Sequence, residues 1–260
     1  MAKTFVITDI HGCFDELIAL YKQIPINPEK DKMVFLGDYI DRGPKSKQVV
    51  DQLMEWSRKY PHWVFLYGNH EDLMLDALDY GGRIYHNFDL WYDQGGKETH
   101  ESYIPLGLNS YERSITQARD MVLPEHRQWL MALPRWYEDG NYFYVHGGIK
   151  PGMHPRDMTS NDLIWIRDEF IDSKHDWGKK VIFGHTPDDK GHYYNPSNPW
   201  GRMQRFMPIV KKNKIGIDTA VCPGANHKLT CLELPTEKFY FQDSFYKEKF
   251  IFRSVSLKEG

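Results

Sequence analysis

Short apolar runs alternate with amphipathic segments in the first part of the chain, and this pattern predicts alternating strands and helices. Three apolar runs are predicted to be buried strands: Phe5–Thr8, Lys32–Leu36 and Trp63–Leu66. The segments that follow them have apolar residues at helical spacing, which predicts helices at Asp15–Gln23, at Ser46–Arg58 and through Leu73–Ala77. A β-α-β-α-β order is typical of a parallel sheet with crossover helices.

The middle of the chain, from about residue 81 to 139, contains no strand-like run. We expect helical pieces there, broken at Gly81-Gly82, Gly95-Gly96 and Pro105, that form a cap over one side of the core. Strands resume afterwards, at Asn141–Val145, Val181–Phe183, Lys214–Ile217, Lys228–Leu232 and Lys238–Phe241. No long helices separate these later strands, so mostly antiparallel pairing is expected. Without repeats or flexible linkers, residues 1–260 are predicted to form a single α/β domain.

Composition and charge narrow the class of protein. Hydrophobic residues make up 41% of the 260 residues, which is enough for a large core. The net charge of −3 argues against a nucleic-acid or membrane-surface partner. The chain runs from Met1–Lys3 directly into the first strand and nowhere has about 18 consecutive apolar residues, so neither a signal peptide nor a membrane span is expected. Cys13, Cys222 and Cys231 lack metal-site spacing, which indicates reduced thiols in a cytoplasmic protein. We expect a monomer.

Polar residues with glycine neighbours follow five of the predicted strands. The five segments are Asp9-Ile10-His11-Gly12, Gly37-Asp38-Tyr39-Ile40-Asp41-Arg42-Gly43, Gly68-Asn69-His70-Glu71, His146-Gly147-Gly148 and Gly184-His185-Thr186. In open α/β sheets the carboxyl ends of the strands meet in one crevice, so these side chains are expected to converge. The glycines allow tight turns and close approach of the backbone at a crowded centre.

These side chains supply oxygen and imidazole nitrogen ligands without thiolate. Such a set suits manganese, iron or zinc better than copper(I) or an iron–sulfur cluster. There are more candidate ligands than one catalytic metal needs, and two metals that share a carboxylate fit the number better. Paired ions about 3.5–4 Å apart can hold a hydroxide and bind both oxygens in an in-line displacement at phosphorus.

In order and spacing, the five segments resemble the five motifs of the phosphoprotein phosphatase family, within the calcineurin-like metallophosphoesterases. The match covers about Phe5 to Thr219. Three further stretches look like segments of bacterial and phage serine/threonine phosphatases: Trp165-Ile166-Arg167-Asp168, Ile217-Asp218-Thr219-Ala220, and Gly95-Gly96-Lys97-Glu98-Thr99 with Ser102-Tyr103. The resemblance implies two packed mixed β-sheets flanked by helices, in four α-β-β-α layers. It also implies two divalent metal ions, Mn²⁺ first, with iron or zinc as alternatives.

The resemblance also implies a role for each site residue. Three residues would hold the first metal: Asp9, His11 and Asp38. Asp38 would bridge to the second metal, whose remaining ligands would be Asn69, His146 and His185. His70 would be the general acid that protonates the leaving oxygen, and Asp41 would orient it. Arg42 and Arg167 would bind the phosphoryl oxygens, because a planar guanidinium offers two parallel donors.

The sequence departs from the family pattern at residues that are not ligands. Thr8 stands where the family has Gly, Tyr67 where it has Arg, and Ala220 where it has Gly. We therefore expect the catalytic activity to be retained. We expect Tyr67 to alter either the surroundings of the ligands or the choice of substrate. Asp218 either supports the site from behind the ligands or caps a strand end, and the two alternatives stay open.

Three functions follow from these predictions. The leading one is a metal-dependent hydrolase of phosphomonoesters, acting on phosphoserine or phosphothreonine in proteins and also on small aryl phosphates, by direct attack of a metal-bridging hydroxide. The alternative is a dinucleoside-tetraphosphate or other nucleotide phosphohydrolase. A remote alternative is an inactive scaffold that only binds phosphorylated partners. The long segment Pro187–Met207 lines the substrate cleft or forms a disordered hairpin.

Overall fold

Two five-stranded sheets carry the architecture of the chain. The structure, a computed structural model, describes residues 2–79, 88–104, 115–188, 205–222 and 227–245. The first sheet has the spatial order β10 (Lys238–Asp243), β9 (Lys228–Leu234), β1 (Thr4–Ile7), β2 (Lys32–Phe35) and β3 (Val64–Phe65). The strands β1, β2 and β3 pair in parallel, whereas β9 pairs antiparallel with both β1 and β10.

The second sheet contains β4 (Trp136–Asp139), β5 (Tyr142–Val145), β6 (Lys180–Phe183), β8 (Lys214–Gly216) and β7 (Ile209–Lys211), in that spatial order. Its three central strands β5, β6 and β8 are parallel, and the two edge strands β4 and β7 are antiparallel to their neighbours. The expectation of mostly antiparallel pairing in the second half of the chain is therefore wrong for the centre of this sheet. Parallel strands need a crossover, and between β5 and β6 it contains the short helices Ser160–Trp165 and Asp168–Ile171.

The helices are α1 (Phe14–Gln23), α2 (Ser46–Lys59), α3 (Asn69–Ala77), α4 (Phe88–Trp91), α5 (Lys97–Tyr103), α6 (Ile115–Met121), α7 (Pro124–Ala132), α8 (Ser160–Trp165) and α9 (Asp168–Ile171). A π-helical turn, Tyr92–Gly96, joins α4 to α5, and Pro155–Asp157 is a 3₁₀ turn. Among the described residues no helix is both long and apolar enough to cross a bilayer.

The alternation of side chains along each strand explains the layering. Inward-facing residues of both sheets form one cluster between them, which includes Val6, Val34, Leu66, Tyr144, Ile182, Ile215 and Leu232. On the outer face of the first sheet, Phe35 stacks on Trp56 of α2 with ring centroids 5.9 Å apart. On the outer face of the second sheet, Phe183 meets Phe170 of α9 edge-on at 5.0 Å. The predicted four α-β-β-α layers are confirmed.

All eight predicted strands and the three predicted helices are present, with small differences at their ends. Four elements were not predicted, namely β4, β7, α8 and α9. β4 corrects the expectation that residues 81–139 contain no strand. Its side chains are all half-buried and include Glu138 and Asp139, so the backbone pairing with β5, rather than an apolar pattern, defines it.

The described part of residues 81–139 is otherwise helical. Gly95, one of the predicted breaks, has φ = 110° and lies in the kinked π-helical turn, whereas Gly81-Gly82 and Pro105 lie outside the described residues. The role of this segment as a cap stays a prediction, as does the single-domain organisation. Residues 189–204, most of the long segment from Pro187 to Met207, also lie outside the described part of the chain.

Candidate metal centre

The strand ends of both sheets meet at one place, as the sequence predicts. In the first sheet, the backbone N–H of Asp9 after β1 donates to Gly37 O at 3.1 Å, and that of His11 donates to Asp38 O at 2.9 Å. Across the two sheets, the His185 N–H donates to both carboxylate oxygens of Asp9, at 3.2 and 3.0 Å. The site is therefore built across the join of the two sheets.

The backbone at the site is strained. Six of the candidate residues have φ in the left-handed region, and they are Asp9 (51°), His11 (47°), Asp38 (55°), Asp41 (72°), Arg42 (68°) and His185 (65°). Each costs on the order of 1–2 kcal/mol relative to ordinary backbone. Strain of this kind concentrates where the surrounding structure holds functional groups in place. Gly68 and Gly184 allow the crowding, because a Cβ atom at either position would overlap a carboxylate oxygen, of Asp38 and Asp9 respectively.

Two groups of buried ligand-type side chains share Asp38. His11, Asp38 and His70 form one group, and Asp38, His146 and His185 form the other, with the potential ligand atoms of each group within 4.8 Å of one another. A carboxylate common to two groups is the arrangement expected of a ligand that bridges two metal ions.

The imidazoles of His11 and His146 are oriented by backbone carbonyl groups. His11 Nδ1 donates to Ile40 O at 2.9 Å, and His146 Nδ1 donates to Leu36 O at 3.0 Å. Both rings therefore present Nε2 to the centre, 3.7 Å and 3.3 Å respectively from the nearer oxygen of Asp38. Metal-binding histidines are typically held in this way by a hydrogen bond from the second ring nitrogen.

The surroundings of His146 and His185 fit a bound cation. His146 Nε2 lies 2.8 Å from Asn69 Oδ1 and 3.3 Å from Asp38 Oδ1, so three ligand-type atoms converge. Burial lowers the pKa of His146, but the charge of Asp38 outweighs it and raises the pKa to about 9, so the site stabilises positive charge at this ring. His185 Nε2 is buried and has no hydrogen-bond partner among the described residues. A metal ion would satisfy both atoms.

Asp9 lies outside the two tight groups. Its Oδ1 is 4.0 Å from His11 Nε2, and its Oδ2 accepts the Thr8 hydroxyl at 2.5 Å. Burial and the neighbouring charge of Asp218 raise the pKa of Asp9 well above its usual value. A cation between these buried carboxylates would favour their ionised forms. His70, which the sequence predicts as an acid, takes the position in the first group where the prediction puts Asp9.

His70 and Asp41 form a buried pair. His70 Nδ1 donates to Asp41 Oδ2 at 2.7 Å. Burial, followed by the charge of Arg42, lowers the pKa of His70 to about 3, and burial raises the pKa of Asp41 to about 8. Burial is the largest cause of both shifts, and it disfavours the charged form of each group.

Two guanidinium groups reach the same centre. Arg42 donates to His11 Nε2 at 2.6 Å and to His70 Nε2 at 3.0 Å. Arg167 is exposed, and its Nη1 donates to His185 O at 2.9 Å and to Thr186 Oγ1 at 3.1 Å. The ligand-type side chains are buried, whereas Arg167 lies at the surface beside His185.

Several residues that support the site have no role in the sequence-based assignment. The Glu71 carboxylate accepts the backbone N–H groups of Asp38, Tyr39 and Gly68, at 2.9, 2.8 and 2.9 Å. Trp91 and Thr99 donate to Asp41, and the Gly-Gly-x-x-Thr stretch is the one signal that points to Thr99.

The three departures from the family pattern differ in their contacts. The Thr8 hydroxyl donates to Asp9, so it touches a candidate ligand. The Tyr67 hydroxyl donates to Asp72 at 3.2 Å, and the Arg135 guanidinium stacks 3.8 Å from the Tyr67 ring centroid. Ala220 has φ = 55°, where Gly is favoured. Its N–H donates to Asp218 Oδ1 at 2.9 Å, so Asp218 caps this turn as well as facing the site.

The fold and the site together define a metallophosphoesterase, a hydrolase of phosphoester bonds. The family profile described as calcineurin-like phosphoesterase matches residues 2–222, and the chain belongs to that family. The family depends on a dinuclear metal centre, which agrees with the two groups that share Asp38.

Three comparisons illustrate the range of similar proteins. A bis(5'-nucleosyl)-tetraphosphatase PrpE [asymmetrical] of Anoxybacillus flavithermus is 25% identical over 254 residues, covering 88% of this chain and 89% of that protein. Serine/threonine-protein phosphatase 2 of Salmonella typhimurium is 31% identical over 171 residues, covering 65% of this chain and 70% of that protein. A protein serine/threonine phosphatase structure from Saccharomyces cerevisiae has a TM-score of 0.54 at 17% identity, covering 95% of this chain and 81% of that chain. The last likeness concerns the fold alone.

Proposed function

We propose that this chain hydrolyses phosphomonoesters and that its substrates are phosphoserine and phosphothreonine side chains of proteins. The observation that carries the proposal is the position of Asp38 in two ligand groups, next to the His70–Asp41 pair and the Arg42 guanidinium. In this proposal the metal ligands, the proton donor and the anion-binding cation act on one bound phosphoryl group. The proposal includes Mn²⁺ as the metal, the cytoplasm as location and a monomeric state.

The proposed ligand set keeps four members of the two groups, adds Asp9 and Asn69, and leaves His70 free for proton transfer. Asp9, His11 and Asp38 would hold one ion, and Asp38, Asn69, His146 and His185 the other. When bound, two divalent ions lower the pKa of a water molecule and neutralise charge on the phosphoryl oxygens. The oxygen and imidazole donors suit Mn²⁺, and they also suit iron or zinc.

The remaining residues bind the substrate and move a proton. Arg42 and Arg167 bind phosphoryl oxygens through paired N–H donors and orient the phosphorus for in-line attack. His70 donates the proton from Nε2 to the leaving oxygen, since its Nδ1 is already directed to Asp41. Asp41 stabilises the imidazolium form that precedes this transfer.

The similarity to the Salmonella typhimurium serine/threonine-protein phosphatase supports a protein substrate. A second candidate has equal support. The Anoxybacillus flavithermus relative, named a bis(5'-nucleosyl)-tetraphosphatase, matches a larger share of the chain, although at lower identity. The same metal groups and acid pair would serve a dinucleoside tetraphosphate, and the residues around the rim decide between the two substrates. An inactive phosphate-binding scaffold is disfavoured, because all of the candidate ligands and the acid pair are present.

The test is a hydrolysis panel with the full chain loaded separately with Mn²⁺, Fe²⁺ and Zn²⁺. The kcat/KM for phosphoserine and phosphothreonine peptides is compared with that for diadenosine tetraphosphate, with the Asp38→Asn variant as the blank. We expect phosphopeptide turnover with the highest kcat/KM in Mn²⁺. Turnover of the dinucleotide without turnover of either peptide would reject the protein phosphatase and support the second candidate. Binding without turnover of any substrate would leave only the scaffold.

A further inference from the structure

The Asp41 carboxylate is surrounded by hydrogen-bond donors from a segment that the sequence predicts as a cap. We call residues 88–103 the 88–103 segment; it comprises α4, the π-helical turn and α5. From this segment, Trp91 Nε1 lies 3.0 and 3.1 Å from the two Asp41 oxygens, and the Thr99 hydroxyl donates to Asp41 Oδ1 at 2.7 Å. His70 Nδ1 donates to Asp41 Oδ2. Asp41, Trp91 and Thr99 are all fully buried.

The same segment also holds the backbone next to Asp41. The Asp41 N–H donates to Thr99 Oγ1 at 2.7 Å, and the Arg42 N–H donates to Gly95 O at 3.0 Å. Asp41 and Arg42 are both in the left-handed region, so this loop needs external contacts to keep its conformation. Gly95 permits the close approach, because a Cβ atom there would lie 2.5 Å from Arg42 N.

We propose that Trp91 and Thr99 are positioning residues, which fix the rotation of the Asp41 carboxylate so that Oδ2 faces His70 Nδ1. A carboxylate without these two donors could rotate, and the orientation of the His70 ring would loosen with it. The His70 Nε2 atom would then spend less time directed at the leaving oxygen. This inference rests on the proposed role of His70 as the general acid. It assigns a catalytic contribution to the 88–103 segment.

The test compares two substrates whose leaving groups differ in their need for a proton. p-Nitrophenyl phosphate has a leaving group that departs readily without a proton, whereas phenyl phosphate depends on the acid. Thr99→Val removes one donor and Trp91→Phe removes the other while keeping an aromatic ring. For both variants we expect kcat with phenyl phosphate to fall about tenfold more than kcat with p-nitrophenyl phosphate. KM and metal content should stay near those of the wild type.

Two matched controls separate positioning from packing. Thr99→Ser keeps the hydroxyl, and it should restore kcat with phenyl phosphate to within about twofold of the wild type. Trp177→Phe removes an indole N–H that donates to Lys150 O, away from the site, and should change neither kcat. Equal losses on both substrates in Thr99→Val and Trp91→Phe would overturn the proposal. If Thr99→Val does not fold, Trp91→Phe decides alone.

The His70→Asn variant distinguishes this inference from the proposed function. If His70 is the acid, His70→Asn retains metal and loses more kcat with phenyl phosphate than with p-nitrophenyl phosphate. Adding Thr99→Val to it should then cause no further substrate-selective loss, because both changes act through the same group. If His70→Asn loses the same fraction of kcat with both substrates, the acid role of His70 itself is rejected. If His70→Asn loses more kcat with phenyl phosphate and the other two variants, Thr99→Val and Trp91→Phe, do not, only the positioning role is rejected.

Discussion

The Glu71 carboxylate accepts the backbone N–H of Asp38 at 2.9 Å, so a buried acid holds the turn that presents the shared carboxylate of the metal centre. Two more backbone donors, from Tyr39 and Gly68, complete its contacts. Glu71→Gln turns one acceptor oxygen into a donor that faces these N–H groups. We expect a loss of about 1.5–3 kcal/mol in the free energy of unfolding, since hydrogen bonds to charged groups have this strength. Urea denaturation measures it.

The control for this prediction is Glu125→Gln, a change of the same kind on the exposed face of α7. It should alter the free energy of unfolding by less than about 0.5 kcal/mol. If Glu71→Gln changed the free energy of unfolding by as little as Glu125→Gln, the three backbone contacts would not stabilise the turn.

Replacement of Ala220 by glycine should raise the free energy of unfolding. Its φ of 55° is unfavourable for a side chain with a Cβ atom, and glycine adopts it without strain. After the greater flexibility of glycine in the unfolded chain is subtracted, Ala220→Gly should stabilise the protein by about 0.5–1 kcal/mol. Ala19→Gly in the interior of α1 is the control and should instead destabilise the protein by about 1 kcal/mol. Thermal or urea unfolding compares the two, and a destabilised Ala220→Gly variant would contradict the argument.

The buried side chain of Lys214 should make the free energy of unfolding depend on pH. Its ammonium group is buried and donates to the carbonyl oxygens of Phe170, Ile171 and Ser173. Burial, followed by repulsion from Lys211, lowers its pKa from 10.5 to about 8, although the charge of Asp172 opposes the shift.

Because the folded state releases this proton at lower pH, the unfolded state binds more protons between about pH 8 and 10.5. The Lys214 contribution to the free energy of unfolding should therefore rise with pH across this window. Urea unfolding at several pH values measures the slope. Lys214→Met removes the titrating group and should show a smaller rise than the wild type. An equal rise in both proteins would assign the pH dependence to other groups.

The sequence predicted the parts of the fold that carry strong apolar patterns. The runs before Asp9, Asp38 and Asn69 are short and apolar, and they form the three parallel strands of the first sheet. β4 could not be found in this way, because Trp136–Asp139 has two acidic residues and is stabilised by pairing with β5 rather than by an apolar face. The parallel pairing of β5, β6 and β8 depends on contacts between distant segments, which local periodicity does not record.

For the site, the sequence predicted the convergence of side chains but not their supports. His11, Asp38, His146 and His185 lie together because each follows the carboxyl end of a strand, and β1 with β2, like β5 with β6, run parallel. The ring orientations depend on the carbonyl oxygens of Ile40 and Leu36, and any residue type supplies such a group. Trp91 is 50 residues from Asp41 in the sequence, and only the folded structure brings the two side chains together.

The central claim is a dinuclear metal centre bridged by Asp38, and metal content measured together with turnover tests it most directly. Purified wild-type protein reconstituted with Mn²⁺ should contain about two ions per chain and hydrolyse p-nitrophenyl phosphate. Asp38→Asn weakens both groups at once, so it should lose most of the metal and all measurable turnover, whereas the exposed control Asp243→Asn should lose neither. Wild-type turnover in Asp38→Asn would contradict the account.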